Sequence, residues 1–311
     1  MTTETPLLEA ADLADDVGAA RVYIKPESLQ VAGSFKIRGA TWKLHSLAPD
    51  QRERGVIAYS SGNFAQGLAA AGRQLGVAVT IVMPEDAPSS KREATERLGA
   101  TVVSSHHGDR PREEVAHEMA RQLASEQGLT LVHPFDDPVI VAGQAGAGLA
   151  ALEQLQSRGA AVDTVLVSVG GGGLIGGVGL AFHHCSPDTA VVAVEPEGYD
   201  AMGQSLARGE ITRVASGRAT ICDALQATSP GVAPFAAAQL AGVTGIHVDD
   251  HEVREAVRSA LQSLRLVLEP SGAVALAGLR SGRVPVEGRR ILVYATGGNI
   301  SAPDLRRLLQ P

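Results

Sequence analysis

Short apolar runs alternate with longer amphipathic segments along this chain, most regularly from residue 55 onward. Runs rich in Val and Ile, such as 55–59 and 77–83, have the length and composition of buried β-strands. The segments between such runs, for example 64–76 and 112–128, have the length of a helix, and each ends near a glycine. Strands that alternate with helices in this way predict right-handed crossovers and a parallel sheet.

The same alternation continues to the end of the chain. Further strands are expected at 100–104, 129–133, 164–169, 190–196 and 289–295, and further helices at 91–99, 151–159, 174–184, 249–266 and 270–279. We therefore predict an α/β fold with two lobes of open, mostly parallel twisted sheet and flanking helices. Residues 55–134 would form the small domain, and residues 1–54 and 135–311 the large one.

Composition excludes several classes of function. Of the 311 residues, 44% are hydrophobic and 20% charged, which is typical of a soluble globular protein. The net charge of −7 and an aromatic content of 3% argue against a nucleic-acid-binding protein, which needs a basic face. The uncharged stretch 164–182 is interrupted by four glycines, so we interpret it as strand, loop and helix rather than as a membrane span.

The two cysteines, Cys185 and Cys222, lie in no CxxC pattern and are far apart in the sequence. They suggest neither a zinc site nor a disulfide framework, and a reducing compartment fits best. The acidic first residues lack the apolar core of a signal peptide. We expect a cytoplasmic protein.

Lys36 is the first candidate for chemistry. It stands between Phe35 and Ile37 and near two glycines, in surroundings that a lysine usually avoids. A desolvated amine loses its proton more easily and forms a Schiff base with a carbonyl. Taken alone, the position favours a surface lysine whose stem lies along the protein.

Three loops at predicted strand ends add polar or glycine-rich backbone. Ser60 to Asn63 (SSGN) would offer N–H groups and hydroxyls to an anion, or would simply cap a helix. Gly170 to Leu174 (GGGGL) would let the backbone approach a phosphate, and it matches neither GxGxxG nor a Walker A motif. Thr296, in ATGGN, would place a hydroxyl near a buried ring nitrogen, or would cap a turn.

In combination these motifs resemble those of the fold-type II pyridoxal-phosphate enzymes of the threonine/serine dehydratase and serine racemase family. The matching stretches span nearly the whole chain: KPESLQVAGSFKIRGA, SSGNFAQGLA, MPEDAPSSKREATERLGATVV, VHPFDDPVIVAGQAG, VGGGGLIGG, VEPEG, TICDAL, EPSGAVALAGL and ATGGN. The resemblance implies a tryptophan-synthase-β-like fold with the active site between two lobes, and pyridoxal 5′-phosphate as cofactor.

The resemblance also implies residue roles. Lys36 would carry the cofactor as a Schiff base and move the α-proton, Phe35 would pack beside the ring, and Asn63 would bond the 3′-oxygen. The phosphate would be held by the glycine loop: Gly170, Gly171, Gly172, Gly173 and Leu174. Thr296 would meet the pyridine nitrogen, where the family commonly has Ser. The substrate carboxylate would be held by Ser60, Ser61 and Gly62, and Ser61 also matches the racemases' second acid/base.

Two positions depart from the family pattern. Phe64 stands where a His usually follows SSGN, which we expect to shift substrate preference. Glu195 matches one ligand of the racemase-type cation site and Tyr199 could supply a carbonyl, but Ala201 replaces the Asp and Asp200 lies one residue early. Two interpretations of Glu195 therefore stay open: it binds a divalent or monovalent cation, or it is a strand-end carboxylate bonded to local N–H groups.

The expected activity is elimination of the β-hydroxyl of L-threonine or L-serine, which yields a 2-oxo acid and ammonia. Racemisation of serine, elimination from 3-hydroxyaspartate or a larger 3-hydroxy amino acid, and a catalytically silent binding protein are the alternatives. The partner would be a small amino-acid substrate, with no nucleic acid or membrane, and relatives favour a homodimer. The chain ends soon after ATGGN, so we expect no regulatory domain.

Overall fold

The apolar, β-branched runs pair into two separate sheets in the computed structural model, which describes residues 2–110, 112–215 and 217–310. The strands are β1 (Leu8–Glu9), β2 (Arg21–Pro26), β3 (Val56–Tyr59), β4 (Val79–Pro84), β5 (Thr101–Ser105), β6 (Thr130–Leu131), β7 (Thr164–Ser168), β8 (Ala190–Pro196), β9 (Thr244–Val248) and β10 (Arg290–Ala295). The helices are α1 (Ala11–Val17), α2 (Lys36–Ser46), α3 (Pro49–Arg54), α4 (Asn63–Leu75), α5 (Ser89–Arg97), α6 (Arg112–Gln127), α7 (Pro138–Ser157), α8 (Gly173–Cys185), α9 (Ala201–Arg208), α10 (Val232–Leu240), α11 (Asp250–Ser259), α12 (Pro270–Arg280) and α13 (Ala302–Leu309).

The larger sheet has the strand order β1-β2-β10-β7-β8-β9, and the smaller has the order β5-β4-β3-β6. Every pair is parallel except β1 with β2, which is antiparallel. Every residue of β7 is buried, which is the signature of a central parallel strand covered on both faces. The two-sheet α/β fold predicted from the sequence is confirmed.

The small sheet's core includes residues from outside segment 55–134. Ile37 and Leu44 of α2 and Ile140 of α7 are fully buried in the same apolar cluster as Ile81 of β4. Helix α2 therefore packs on the small sheet while its first residue faces the space between the sheets. The division into domains at residues 54/55 and 134/135 stays a prediction.

Three element boundaries differ from expectation. Helix α7 begins at Pro138 instead of 151, because the Asp137 side chain caps it by accepting from the Val139 N–H at 2.8 Å. The strand expected at 129–133 is reduced to β6. The helix expected over 249–266 ends as α11 at Ser259, followed by one π turn that stops where Arg265 takes a positive φ of 59°.

None of the helices within 2–110, 112–215 and 217–310 has the length and apolarity needed to span a membrane. The uncharged stretch 164–182 divides into β7, the glycine loop and most of α8.

Candidate active site

One pocket collects all of the residues expected to hold the cofactor. Helices α2, α4, α8 and α12 all begin at it, and strands β7 and β10 end beside it. It is lined by Phe35, Lys36, Asn63, Phe135, Ser168, Val169, Gly170, Gly171, Gly172, Gly173, Leu174, Ile175, Ala224, Leu225, Glu269, Ser271 and Thr296. Backbone N–H groups at helix starts have no partner within the helix, so such a place suits an anion.

Lys36 is the first residue of α2, and its amine enters the pocket. Its Nζ donates to the Pro134 carbonyl oxygen at 3.3 Å and lies 5.2 Å from the Phe35 ring centre and 5.8 Å from that of Phe64. The residue is partly buried, and the removal of water around its amine lowers the pKa of Lys36 to about 8. An amine with this pKa is a far better nucleophile and base near neutral pH than an ordinary lysine.

The turn that faces Lys36 is held by a histidine that the sequence did not single out. His133 Nδ1 accepts from the backbone N–H groups of Phe135 and Asp136 at 3.3 and 2.8 Å. Its Nε2 lies 3.0 Å from the Tyr59 hydroxyl. Burial lowers the pKa of His133 to about 4, so the ring is neutral at pH 7. This neutral ring fixes the turn that presents the carbonyl of Pro134 to Lys36.

Two glycines of the loop between β7 and α8, Gly171 and Gly172, are required by their neighbours. Gly172 precedes α8 with φ +95°, and a Cβ there would lie 2.4 Å from Met202 Cε. A Cβ on Gly171 would come within 2.4 Å of the Phe135 ring. A side chain at either position would collide with its surroundings, so the bare backbone forms this wall of the pocket.

Asn63, the first residue of α4, is 8% exposed and held on two sides. Its Nδ2 donates to Glu269 Oε1 at 2.5 Å, and its Oδ1 accepts from Asn299 Nδ2 at 2.7 Å. Thr296, 5% exposed, follows β10 and shares the pocket. Its carbonyl oxygen accepts from the Phe35 N–H at 3.2 Å, which links the end of β10 to the start of α2.

The residues expected to hold the substrate carboxylate lie just outside this pocket. Ser60, Ser61 and Gly62 form the partly buried turn between β3 and α4, where the Gly62 N–H donates to Ser60 Oγ at 3.2 Å. Arg112 donates from Nη2 to Ser61 Oγ at 3.4 Å and from Nη1 to Asp86 Oδ2 at 3.1 Å. Phe64 is 2% exposed in the core of the small sheet and lies outside the pocket lining, so it borders the site only where its ring approaches Lys36 Nζ.

Glu195 lies away from the pocket at the end of β8. Its two carboxylate oxygens accept from the N–H groups of Met202 and Gly203 at 2.9 and 2.7 Å. Burial raises its pKa to about 8. These are the contacts of a strand-end carboxylate, and the described parts of the chain hold no cluster of three or more His, Cys, Asp or Glu suited to a metal. The cation at Glu195 stays a prediction.

Sequence reasoning missed several residues of the pocket wall. Ser271 at the start of α12 accepts from the Ala224 N–H at 3.0 Å and thereby attaches the loop of Ala224 and Leu225 to the site. Glu269 stands one residue before α12 with its carboxyl against Asn63. Glu269 and Ser271 lie in the family-like stretch EPSGAVALAGL, and Ala224 and Leu225 lie in TICDAL; both stretches carried the resemblance but no assigned role.

The fold and this pocket define an enzyme class that binds an aldehyde cofactor on a lysine. A family profile described as "Pyridoxal-phosphate dependent enzyme" matches residues 1–297, and the chain belongs to this family. It is 36% identical to L-threonine ammonia-lyase of Thermotoga maritima over 97% of this chain and 73% of that protein. It is 39% identical to L-threo-3-hydroxyaspartate ammonia-lyase of Pseudomonas sp. over 98% and 93%.

Solved structures agree in fold. Maize serine racemase superposes with a TM-score of 0.90 at 32% identity, covering 98% of this chain and 91% of that one. The T.th. threonine deaminase superposes with a TM-score of 0.88 at 38% identity, covering 96% and 94%. The resemblance to fold-type II enzymes inferred from the sequence is confirmed.

The residues present fit pyridoxal 5′-phosphate. The group needs an unprotonated amine, a phosphate cradle and polar partners for its ring oxygen and nitrogen. Lys36 supplies an amine with a lowered pKa, and the bare glycine backbone at the start of α8 supplies the cradle. Asn63 and Thr296 supply the polar side chains on the remaining walls.

Proposed function

We propose that the protein is a pyridoxal-phosphate-dependent ammonia-lyase that eliminates the β-hydroxyl of L-threonine or L-serine to give a 2-oxo acid and ammonia. The observation that carries the proposal is a single pocket that joins the Lys36 amine, the bare glycine backbone and Asn63. Relatives named as threonine ammonia-lyase and threonine deaminase, at 36% and 38% identity, support the same reaction.

Each residue of the site has a separate task in this proposal. Lys36 would hold the cofactor through its Nζ, and the same amine would take the proton from the substrate Cα. The backbone of Gly170 to Gly173 holds the phosphate, and Asn63 fixes the ring through its amide. When bound, pyridoxal phosphate supplies the electron sink that acidifies the Cα–H bond.

The substrate carboxylate is assigned to the turn of Ser60, Ser61 and Gly62 at the start of α4. A helix start attracts a negative charge, and the turn adds two hydroxyls. Arg112, beside Ser61 and paired with Asp86, brings a guanidinium group to the same side. Binding here would place the substrate near Lys36, because the first residues of α2 and α4, Lys36 and Asn63, line the same pocket.

The test is a panel of amino acids given to the holoenzyme, scored for 2-oxo acid. L-Serine and L-threonine should be turned over, and Lys36→Ala should lose about 10²–10⁴-fold or more in rate together with the visible absorbance of the lysine-bound cofactor. Lys43→Ala is the matched control, because Lys43 lies on the same helix outside the pocket. Turnover by Lys36→Ala at the wild-type rate would refute the proposal.

A second candidate is elimination from L-threo-3-hydroxyaspartate, favoured by the position of Arg112. A second carboxylate on the substrate would need a cation, and Arg112 is within 3.4 Å of Ser61. The relative named for this substrate is 39% identical over 98% of the chain. Arg112→Lys and Arg112→Met should then lower kcat/KM for 3-hydroxyaspartate more than for L-serine. Equal losses for both substrates would leave serine or threonine as the substrate.

Racemisation is measured in the same assay by chiral analysis of serine. If Ser61 serves as the acid/base on the second face, Ser61→Ala should abolish D-serine formation and spare pyruvate release. Release of pyruvate with no D-serine from the wild-type enzyme would make it a lyase alone.

We include a homodimer and a cytoplasmic location in the proposal. Trp42 and Leu149 are 55% and 50% exposed on the packed helices α2 and α7, which supports a contact between copies. Trp42→Glu should lower the mass measured by light scattering to that of one chain.

Cys185 and Cys222 are both free, which supports a reducing compartment.

A further inference from the structure

One acidic side chain lines the pocket together with Lys36. Glu269 is 4% exposed and precedes α12. Among the described residues that line the pocket, Lys36 and Glu269 are the only charged types. A buried carboxyl is costly unless it is hydrogen-bonded or neutralised, so its retention here calls for a role.

The contacts of Glu269 fix the orientation of Asn63. Glu269 Oε1 accepts one N–H of the Asn63 amide at 2.5 Å. Asn299 donates to the carbonyl oxygen of that amide at 2.7 Å and to the Ala32 carbonyl at 2.8 Å. An asparagine amide has two N–H donors, so this arrangement leaves the second donor for a ligand.

The turn after β10 confines the same pair. A Cβ on Gly297 would lie 2.1 Å from Glu269 Oε1 and 3.2 Å from Asn63 Nδ2. The Glu269 N–H donates to the Gly297 carbonyl oxygen at 3.2 Å. The carboxyl is thus pressed against the turn that also carries Thr296, and it has little freedom to swing away from Asn63.

The charges around Glu269 leave it without an ion-pair partner among the described residues. Lys91 of α5 and Asp223 are the charged groups outside the pocket whose electrostatic effects reach Glu269, and they form an ion pair with each other. Burial raises the pKa of Glu269 to about 7, against the opposing effect of the Asn63 hydrogen bond. A ligand that displaces water and carries negative charge would favour the protonated carboxyl further.

We infer that Glu269 is a positioning residue for Asn63 and that its carboxyl takes up a proton when pyridoxal phosphate fills the pocket. The inference rests on the proposed function, since Asn63 is the assigned partner of the cofactor's ring oxygen. A neutral carboxyl accepts the Asn63 N–H without placing a negative charge beside that oxygen. Its proton is therefore part of the cofactor-bound state.

The first experiment measures proton uptake. The dissociation constant of pyridoxal phosphate is measured on the apoproteins of wild type and Glu269→Gln from pH 6 to 9. Titrations of Lys36 and of the cofactor affect both proteins, so they cancel in the ratio of wild-type to variant constants. This ratio should rise above pH 7 toward about tenfold per pH unit, because wild type must gain a proton that the variant does not need. A ratio independent of pH overturns the inference.

The second experiment measures positioning with a double-mutant cycle. Glu269→Met removes the acceptor and should weaken cofactor binding by about tenfold when Asn63 is present, with little further loss in the Asn63→Ala background. Losses that multiply would show that Glu269 acts independently of Asn63. Glu269→Gln, which keeps an acceptor oxygen, should restore affinity at pH 6.

Two controls separate the possible failures. Glu287→Gln, at an exposed acid far from the pocket lining, should behave as wild type. Thermal unfolding of each apoprotein checks that the variants fold, and the Gln variant remains informative if the Met variant does not. Wild-type protein that binds no pyridoxal phosphate would refute the proposed function, whereas normal binding with a flat ratio would refute only the role of Glu269.

Discussion

One carboxylate introduced beside Lys36 should raise its lowered pKa. Phe35 immediately precedes Lys36, and its ring centre lies 5.2 Å from Nζ. A carboxylate at that distance, with an effective dielectric constant of about 20, would stabilise the protonated amine by about 3 kcal/mol. Since 1.36 kcal/mol corresponds to one pH unit, Phe35→Asp should return the pKa of Lys36 from about 8 to about 10.

The consequence is a large change in the neutral amine available at pH 7. With a pKa of about 8, about a tenth of Lys36 is unprotonated, and with a pKa near 10 about a thousandth is. Phe35→Asn is the matched control, because Asn has the size of Asp without its charge. Apoprotein is used throughout, so the result does not depend on cofactor binding or turnover.

The assay is reductive methylation with formaldehyde over a pH series, with each lysine quantified by mass spectrometry. Lys25 provides an internal control, since burial also lowers its pKa to about 8. It is fully buried, however, and its Nζ donates to Thr5 O and Gln154 Oε1. Lys25 should stay unmodified while Lys36 reacts. A wild-type midpoint near 10.5, or equal midpoints in the Asp and Asn variants, would refute the reasoning.

Three further predictions concern stability and the glycine loop. Glu27→Ala removes one partner of the buried Arg38–Glu27 pair, joined by hydrogen bonds of 2.7 and 2.8 Å, and should lower the free energy of unfolding by about 3–5 kcal/mol. Glu9→Ala, at the exposed Arg21–Glu9 pair, should lower it by less than about 1 kcal/mol. Both values are measured by urea denaturation, and equal losses would contradict the prediction. Gly172→Ala should weaken cofactor binding by at least about tenfold, because it adds strain of about 1–3 kcal/mol and a clash with Met202 at the phosphate cradle. Gly282→Ala, also at positive φ but with open space around it, should leave cofactor affinity unchanged. Between pH 6.5 and 7.5 the apoprotein should become less stable as pH rises, because the folded pKa values of Glu269 and Glu195, about 7 and 8, exceed the ordinary 4.5 and the folded state binds more protons there. His133, with a folded pKa of about 4, opposes this mainly below about 6.5, and Lys25 and Lys36, with folded pKa values of about 8, oppose it above about 7.5. A urea midpoint that rises across this window would disprove the assignment.

Strands β3 to β8 and β10 were predictable because they are short runs rich in apolar, β-branched residues. Strands β1, β2 and β9 were missed, because their sequences LE, RVYIKP and TGIHV mix polar or charged residues with the apolar ones. Helix α7 was harder, since its first half is apolar or small on every side and has no helical periodicity to detect. Helix α2 was missed because Gly39 suggested flexible backbone. In the structure Gly39 lies inside the helix, where a Cβ would come within 2.5 Å of Gln144 Nε2. The glycine is needed for close packing of α2 on α7, a tertiary contact that local sequence does not reveal.

The residues of the site likewise differ in whether the sequence alone could indicate them. Lys36, Asn63 and the glycine loop were predicted to form one site because their order along the chain resembles a known family, and the fold brings them to one pocket. Glu269 was not found, because an acidic residue before Pro270 is an ordinary helix start. Its importance comes from a hydrogen bond to a residue 206 positions earlier in the chain. Only the fold brings these two side chains together.

The convergence of helix starts explains why this pocket suits its proposed ligand and why its two charged residues behave as they do. Helices α2, α4, α8 and α12 all point their positive ends into one water-poor space. Such a space favours an anionic phosphate and carboxylate, and it disfavours a protonated amine unless a carboxylate faces it. Glu269 does not form an ion pair with Lys36, so the amine can lose its proton while the carboxyl gains one. If Glu269 formed an ion pair with Lys36, the amine would stay protonated and unreactive. The hydrogen bond to Asn63 keeps the Glu269 carboxyl away from the Lys36 amine.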